Sequence, residues 1–345
     1  MGGAEVFTRE VLKRWAAAGH EITLFTSQFK GGKQNEVNDG INITRSGGKY
    51  TVYWKARDYY RKVFSSEKYD AVIDEINTVP FLTPKFVTKR EKIFALIHQL
   101  AREYWFYETP LPASYLGYYI LENRWLKNYR NIPTITVSES SKKDLEELGF
   151  KKTFVVGEGL NFEPLQKLGK KKDFPVIVFA GRLKKAKRPD EAVKAFKIVK
   201  QKIPDAELWI IGDGYLKKKL TRDSPKGVRF FNPSSNEERR EIIKRSWVLV
   251  NPSIREGFGL NVIEASALGV PTVAYNVPGL RDAIVNGETG LLSPAGSTQK
   301  LAETILQILV DPDLRTKLSE HALVRARNFS WDKVANEFMN VIKTA

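Results

Sequence analysis

The chain contains no cysteine, three histidines and two methionines among its 345 residues. The missing cysteine excludes disulfides and every thiolate metal site, and it suits a reducing, cytoplasmic setting. The scarcity of histidine lets His20, His98 and His321 be weighed one at a time. Only His98, in "LIHQL", stands where a strand ends, so it is the functional candidate of the three. No apolar run approaches the ~20 residues that span a bilayer. The opening "MGGAEVFTRE" has no apolar core of the signal-peptide kind. Two phosphate-binding signatures are also lacking. G-x-G-x-x-G would need a glycine where Val262 and Lys217 stand, and no G-x-x-x-x-G-K-[ST] occurs anywhere.

What is present is a globular composition, 42% hydrophobic and 11% aromatic, on a chain long enough for two domains. Lys and Arg number 56 against 40 Asp and Glu, a net charge of +16. Such an excess favours polyanions: nucleic acid, an anionic membrane surface or a phosphorylated substrate. Much of it sits in clusters such as "KLGKKKDF" and "RLKKAKRP", which a solvated surface would also explain.

A recurring unit organises the chain: an apolar β-branched run, a turn with glycine or proline, then a stretch at helical period. "PVIVFAGRL" precedes "PDEAVKAFKIVKQK", "ELWIIGDG" precedes "YLKKKLTRD", and "WVLVNPS" precedes "GLNVIEASALG". In the first half, "EITLFTS", "YDAVIDE", "KIFALIHQ" and "PTITVSES" read as strands. Continuous apolar strands of this kind are buried on both faces of parallel sheets. The pattern predicts an α/β protein of two doubly wound, Rossmann-like domains. The expected limits are 1–160 for the first domain, 161–174 for a charged linker and 175–328 for the second.

Open α/β sheets bind ligands beyond the carboxyl ends of their strands. There, Gly257 and Gly259 let backbone approach a ligand, and a helix starting near Leu260 would aim free N–H groups at an anion such as phosphate. Arg182 and Lys187 in "GRLKKAK" follow a strand in the same domain and are suited to the same anion. Glu264, one turn into the helix, falls on the side expected for ribose hydroxyls. Glu256 lies before the glycines, where the non-nucleotide part of a ligand would sit.

Glu256, Phe258, Gly259 and Glu264 match, position by position, the E-x-[FY]-G-x-x-x-x-E signature of retaining glycosyltransferases of family 4, in the GT-B superfold. "GRLKKAK" is similar to that family's G-R-L-x-x-x-K, and "IIGDG" to its apolar-G-x-G strand end. "VSESSKKDLEELGF", "GETGLL" and "FSWDKVA" extend the resemblance over nearly the whole chain. The resemblance implies two domains facing a central cleft, with the C-terminal helix 329–345 joining the first. It implies a hexosyl transfer from a nucleotide-diphosphate sugar to a saccharide or lipid-linked acceptor, with retained anomeric configuration and with neither metal nor further cofactor. Carried over residue by residue, the catalytic set is Glu256, His98, Arg182 and Lys187. Donor binding falls to Arg182, Lys187, Gly212, Phe258, Gly259, Leu260 and Glu264, and to Gly3 in the "GGAE" loop.

Family members carry an apolar strand before that loop, so the first domain is expected to lack its first strand, or the true start to lie upstream of Met1. Asn232 replaces a glycine common near the base, which leaves the base open. "DPD" at Asp311–Asp313 mimics a metal motif but reads as a cap and helix start. The aromatic stretch "REYWFYETPLPASYLGYY" suits core packing, acceptor binding or peripheral contact with the inner face of the membrane. Two rival readings are an idle nucleotide-sugar-binding subunit and a basic nucleic-acid-binding protein, although no signature of the latter is present.

Overall fold

The computed structural model describes residues 2–88 and 90–345. In chain order its elements are α1 (Gly3–Ala17), β1 (Ile22–Thr26), β2 (Asn35–Asn38), β3 (Ile41–Arg45), α2 (Val52–Lys62), β4 (Ala71–Glu75), β5 (Lys92–Leu96), α3 (Tyr104–Glu108), α4 (Ala113–Leu116), α5 (Glu122–Leu126), β6 (Thr134–Thr136), α6 (Glu139–Glu147) and β7 (Thr153–Val155). There follow β8 (Val176–Ala180), α7 (Pro189–Lys202), β9 (Glu207–Ile211), α8 (Lys217–Asp223), β10 (Val228–Phe231), α9 (Asn236–Lys244), β11 (Val248–Asn251), α10 (Leu260–Ala267), β12 (Thr272–Tyr275), α11 (Leu280–Ala283), β13 (Gly290–Ser293), α12 (Thr298–Val310), α13 (Pro312–Ala326) and α14 (Trp331–Thr344). They form two compact α/β units. The first comprises Met1–Arg102, Tyr115–Gly159 and Ser330–Ala345; the second comprises Glu103–Ser114 and Leu160–Phe329.

In the first unit the strands fall into two sheets, ordered β1-β3-β2 and β4-β5-β6-β7. Each of β1 and β4 has a partner on one side only, and they do not pair with each other. Helix α14 packs on α1. Phe7, Trp15, Trp331 and Phe338 are buried between them, and the Trp15 indole donates to the Ala335 carbonyl at 2.9 Å. Arg14 adds a 2.6 Å ion pair to Asp332. Strands β2 and β3 escape a reading by apolar runs, because "NEVN" offers one apolar residue and "INITR" alternates.

The second unit is built on one six-stranded sheet, order β10-β9-β8-β11-β12-β13, with every pairing parallel. Strand β8, "VIVFA", is buried at all five positions, as expected of a strand covered by helices on both faces. Helix α7 begins with Pro189 at its first position, carries Asp190 and Glu191 in the first turn and Lys200 and Lys202 in the last. Each choice suits the missing amide bonds and the dipole of that end. Asp311 caps α13 through the Leu314 amide at 2.9 Å and Pro312 opens that helix, so "DPD" is a helix start.

Two segments depart from the expected boundaries. Residues 161–174, expected as a linker, pack on the second unit. The Leu165 amide donates to the Ala267 carbonyl at 2.9 Å, and the Lys171 ammonium donates to the Lys244 and Gly269 carbonyls at 3.1 and 2.8 Å. Burial pushes that ammonium down to about 7, and the Arg315 and Lys244 charges add to the shift. Glu103–Ser114 was expected within the first domain, yet it belongs to the second unit, where its aromatic and acidic side chains find partners.

Candidate active site

The strand order of the second unit reverses between β8 and β11. From β8 the chain moves outward through β9 and β10, then returns to lay β11, β12 and β13 on the other side. The crevice at such a reversal is where open α/β sheets bind ligands. Its two walls here are the loop after β8, with Arg182 and Lys187, and the loop after β11, with Glu256 to Leu260.

Several polar bonds hold these walls in register. The Asn261 amide group donates to the Ala180 carbonyl at 2.8 Å and its carbonyl accepts from Asn251 at 3.1 Å. Asn251 in turn accepts from the Ser253 amide at 3.1 Å, and the Ile254 amide reaches the Ala186 carbonyl at 3.1 Å. Gly259 adopts φ +101°, which favours glycine. With no side chain to cap α10, it leaves the first amides of an eight-residue helix uncapped by its own residue. Phe258 packs its ring edge-on to Phe329 at 5.7 Å and fixes the loop from below.

Lys187 and Glu256 face each other across the crevice, ammonium to carboxylate 2.5 Å, at 21% and 13% side-chain exposure. Burial alone would lower the Lys187 value, but the Glu256 carboxylate and the Tyr104 oxygen outweigh it and hold the ammonium above its ordinary range. The second oxygen of Glu256 accepts from the Ser253 hydroxyl at 2.8 Å. Arg182 is exposed at the strand end. Lys184 stands among these charges; burial lowers its pKa, and Lys187 and Arg182 lower it further. Glu264, on the next turn of α10, accepts from the Arg239 guanidinium at 2.7 Å.

The structure thus brings Arg182, Lys187, Gly212, Glu256, Phe258, Gly259, Leu260 and Glu264 into one unit at one sheet edge. Gly212 serves the loops themselves. A Cβ there would lie 2.0 Å from the Gly181 carbonyl oxygen, so glycine permits β8 and β9 to close their loops together. Lys184, Arg239, Asn251 and Asn261 were not reached from the sequence, since one more lysine, arginine or asparagine carries no periodic signal.

His98 and Gly3 belong to the first unit. His98 follows β5, is 7% exposed, and lies edge-on to Phe7 at 5.0 Å. Its Nε2 has no hydrogen bond and is 3.7 Å from the Glu75 carboxylate, which accepts from the Thr8 hydroxyl at 2.7 Å. Glu75, at the end of β4, is a neighbour the sequence did not announce. Gly3 requires a correction: it is the first residue of α1 and not part of a loop. Gly2 is the cap, and the Glu5 carboxylate folds back onto its amide at 2.5 Å, which draws "GGAE" into the first turn.

Among the described residues, no group of three or more His, Asp or Glu side chains is placed to hold a metal ion. No helix among them is long and apolar enough to cross a membrane.

Residues 162–325 match the family model described as glycosyl transferases group 1, and residues 1–163 match that of glycosyltransferase family 4. The chain is 33% identical over 181 residues to the D-inositol 3-phosphate glycosyltransferase of Corynebacterium aurimucosum, covering 49% of this chain and 43% of that protein. It is 30% identical over 203 residues to an uncharacterized glycosyltransferase of Methanocaldococcus jannaschii, covering 58% of this chain and 56% of that protein. The chain therefore spans about half the length of these curated relatives. Among solved structures, sucrose-phosphate synthase from Thermosynechococcus elongatus superposes with a TM-score of 0.80 at 19% identity, covering 99% of this chain and 93% of that one. HepE of Anabaena, solved in complex with UDP-glucose, gives 0.72 at 17% identity, covering 100% and 97%. With both halves matched and the GT-B fold shared, the chain belongs to the group 1, family 4 glycosyltransferases.

Proposed function

We propose that the protein transfers a hexosyl residue from a nucleotide-diphosphate sugar to a saccharide or lipid-linked acceptor, with retention and without a metal ion. The observation that carries this reading is the reversal point of the second sheet, where cations, an uncapped helix start and two carboxylates meet. In the reaction the bond from the anomeric carbon to the diphosphate oxygen breaks, and the electron pair leaves on the diphosphate. A new bond forms from an acceptor oxygen on the same face, and that oxygen's proton passes to the departing diphosphate. Arg182, Lys187 and the first amides of α10 would meet the growing negative charge, the interaction that counts most when it strengthens toward the transition state. Glu264 would hold the ribose and Glu256 the donor sugar; His98 is assigned to the sugar end on the family resemblance. HepE was solved with UDP and glucose, which favours a uridine nucleotide as the first donor to test.

The test is incubation with UDP-, GDP- and ADP-sugars in EDTA, with NMR of the product anomer. Retained configuration with EDTA present supports the proposal. An inverted product, or activity abolished by chelation and restored by magnesium or manganese, contradicts it.

For the acceptor, the first unit offers an exposed helical face. Tyr115, Leu116, Tyr119 and Ile120 are 54, 46, 60 and 52% exposed, and exposed Arg124 and Lys127 follow within two turns. Aromatic and aliphatic side chains beside basic ones suit an anionic lipid surface, where each Lys or Arg contributes about 1 kcal/mol. We expect sedimentation with anionic but not neutral liposomes, reversed by salt. No binding at physiological salt would turn the acceptor assignment to a soluble saccharide.

A further inference from the structure

Glu103–Ser114 comes from the first half of the chain and packs on the second unit. Its polar groups meet the two loops that wall the crevice. The Tyr104 hydroxyl donates to the Arg255 carbonyl at 3.2 Å and stands beside the Lys187 ammonium, while its ring lies under the Lys184 ammonium at 5.1 Å. Glu103 pairs with Arg255 at 3.0 Å, and the Tyr107 hydroxyl accepts from Arg188 at 3.3 Å. Glu108 uses both oxygens. One accepts the Ala186 amide at 2.8 Å, and the other accepts from the Tyr215 hydroxyl at 3.0 Å. Tyr215 in turn accepts the Lys185 amide at 2.8 Å.

Two consecutive backbone amides of the turn Lys185–Lys187 are thus held by Glu108, one directly and one through Tyr215. The ammonium groups of Lys184, just before this turn, and of Lys187, at its end, both lie against Tyr104. Such an arrangement has a physical need behind it. Arg182, Lys184 and Lys187 repel one another, and left to themselves the long side chains would spread into water. A carboxylate on the turn and an aromatic face under one ammonium offset that repulsion and remove rotamer freedom before any anion arrives.

We infer that Glu103–Ser114 is a positioning strap, in which Tyr104 and Glu108 set the turn Lys185–Lys187 and its ammonium groups in the arrangement that meets a diphosphate. The inference rests on the proposed function for the identity of the anion. Tyr104 and Glu108 act through Lys187, Lys184 and the Ala186 amide, so they are positioning residues.

The experiment compares wild type, Tyr104→Phe, Glu108→Ala and Glu108→Gln in the full chain. Amide exchange is followed at Lys185 and Ala186 without ligand, affinities for UDP, GDP and ADP are measured by calorimetry, and kcat and KM are measured with the donor sugar turned over by wild type. Losing one held amide should speed its exchange, and Glu108→Ala should lower kcat about tenfold with little change in KM, the weight of one hydrogen bond. Glu108→Gln keeps an acceptor for Ala186 and should restore both. Tyr104→Phe keeps the ring under Lys184 and should lower kcat without altering melting, so it carries the test should Glu108→Ala fail to fold. If wild type binds a nucleoside diphosphate, yet exchange and kcat are the same in Glu108→Ala and Tyr104→Phe, the strap has no positioning role and the inference alone falls. If wild type binds none of the three nucleotides, the proposed function falls and takes the inference with it.

Discussion

Strands β1 and β8 are both five residues long and rich in β-branched and aromatic side chains, yet "ITLFT" is half-exposed along its length and "VIVFA" is buried throughout. The difference lies in their neighbours. Strand β8 pairs on both sides within a continuous six-stranded sheet, whereas β1 pairs only with β3, at the end of a three-stranded sheet. Strand "AVIDE" of β4 shows the same half-burial, with only Asp74 withdrawn from solvent. A continuous sheet gives the loops after β8 and β11 fixed roots, which a charge-binding crevice needs. In the first unit, His98 follows β5, an inner strand of the four-stranded half, and Gly3 opens the helix that packs beside the other half. The two units should therefore differ in how firmly they hold what they carry.

The largest expected effects test whether each unit answers for its own core. Trp331 is 1% exposed against Phe7, so Trp331→Ala should cost the first unit ~3–5 kcal/mol. Calorimetry should show one transition lowered and the other in place; an equal drop in both would merge the units into one cooperative block. In the second unit, Lys187→Ala leaves the half-buried Glu256 carboxylate with only the Ser253 hydroxyl, a loss of ~1–3 kcal/mol. Adding Glu256→Gln should recover part of that stability while turnover stays low, and a double variant no more stable than Lys187→Ala would contradict the pair's role.

A smaller effect sharpens the ligand side of the comparison. Glu264→Ala removes a hydrogen bond to a charged group, so affinity for the nucleoside diphosphate should fall about 10- to 100-fold. Arg239→Ala should weaken it less, since Arg239 orients Glu264 at 2.7 Å without the proposed ribose contact. Unchanged affinity in Glu264→Ala would remove the ribose role.

The smallest effect is a pH dependence of opposite sign in the two units. Burial raises Glu158 well above the ordinary carboxylate range. The folded first unit then keeps a proton that the unfolded chain gives up near pH ~4.3, and its stability falls as pH rises from there toward the folded value. Lys171 is the reverse. With its folded value near 7 and an unfolded one near ~10.4, the unfolded chain holds the extra proton, and the second unit gains stability as pH climbs from 7 to ~10. Melting curves of Glu158→Gln and Lys171→Met should each flatten one slope and leave the other; parallel slopes in both units would contradict the assignment.

Most of the second unit was legible in the sequence, because local signals and tertiary needs coincide there. Pro189 opens α7 and Gly269 follows the end of α10, both local helix signals, and "VIVFA", "ELWII" and "VLVN" are strands. The remainder depends on contacts between residues far apart in the chain. Glu108 meets Ala186 across 78 residues and Glu103 meets Arg255 across 152, and neither periodicity nor a motif marks such pairs. Gly3 was misplaced for a local reason: a cap closed by Glu5 looks the same in sequence as a glycine loop. The segment 161–174 read as a linker because its charges dominate, and only the structure shows Lys171 turned inward onto two carbonyls.

The crevice between β8 and β11 is proposed to bind the diphosphate of a nucleotide sugar through protein cations and helix amides. Titrating UDP, GDP and ADP into the full chain in EDTA, with wild type and Arg182→Ala side by side, tests it most directly. One of the three should bind wild type saturably at one site, and Arg182→Ala should weaken that binding or, at equal affinity, slow turnover of the matching donor sugar. Binding that appears only with a divalent metal, or no binding of any of the three, would contradict the account.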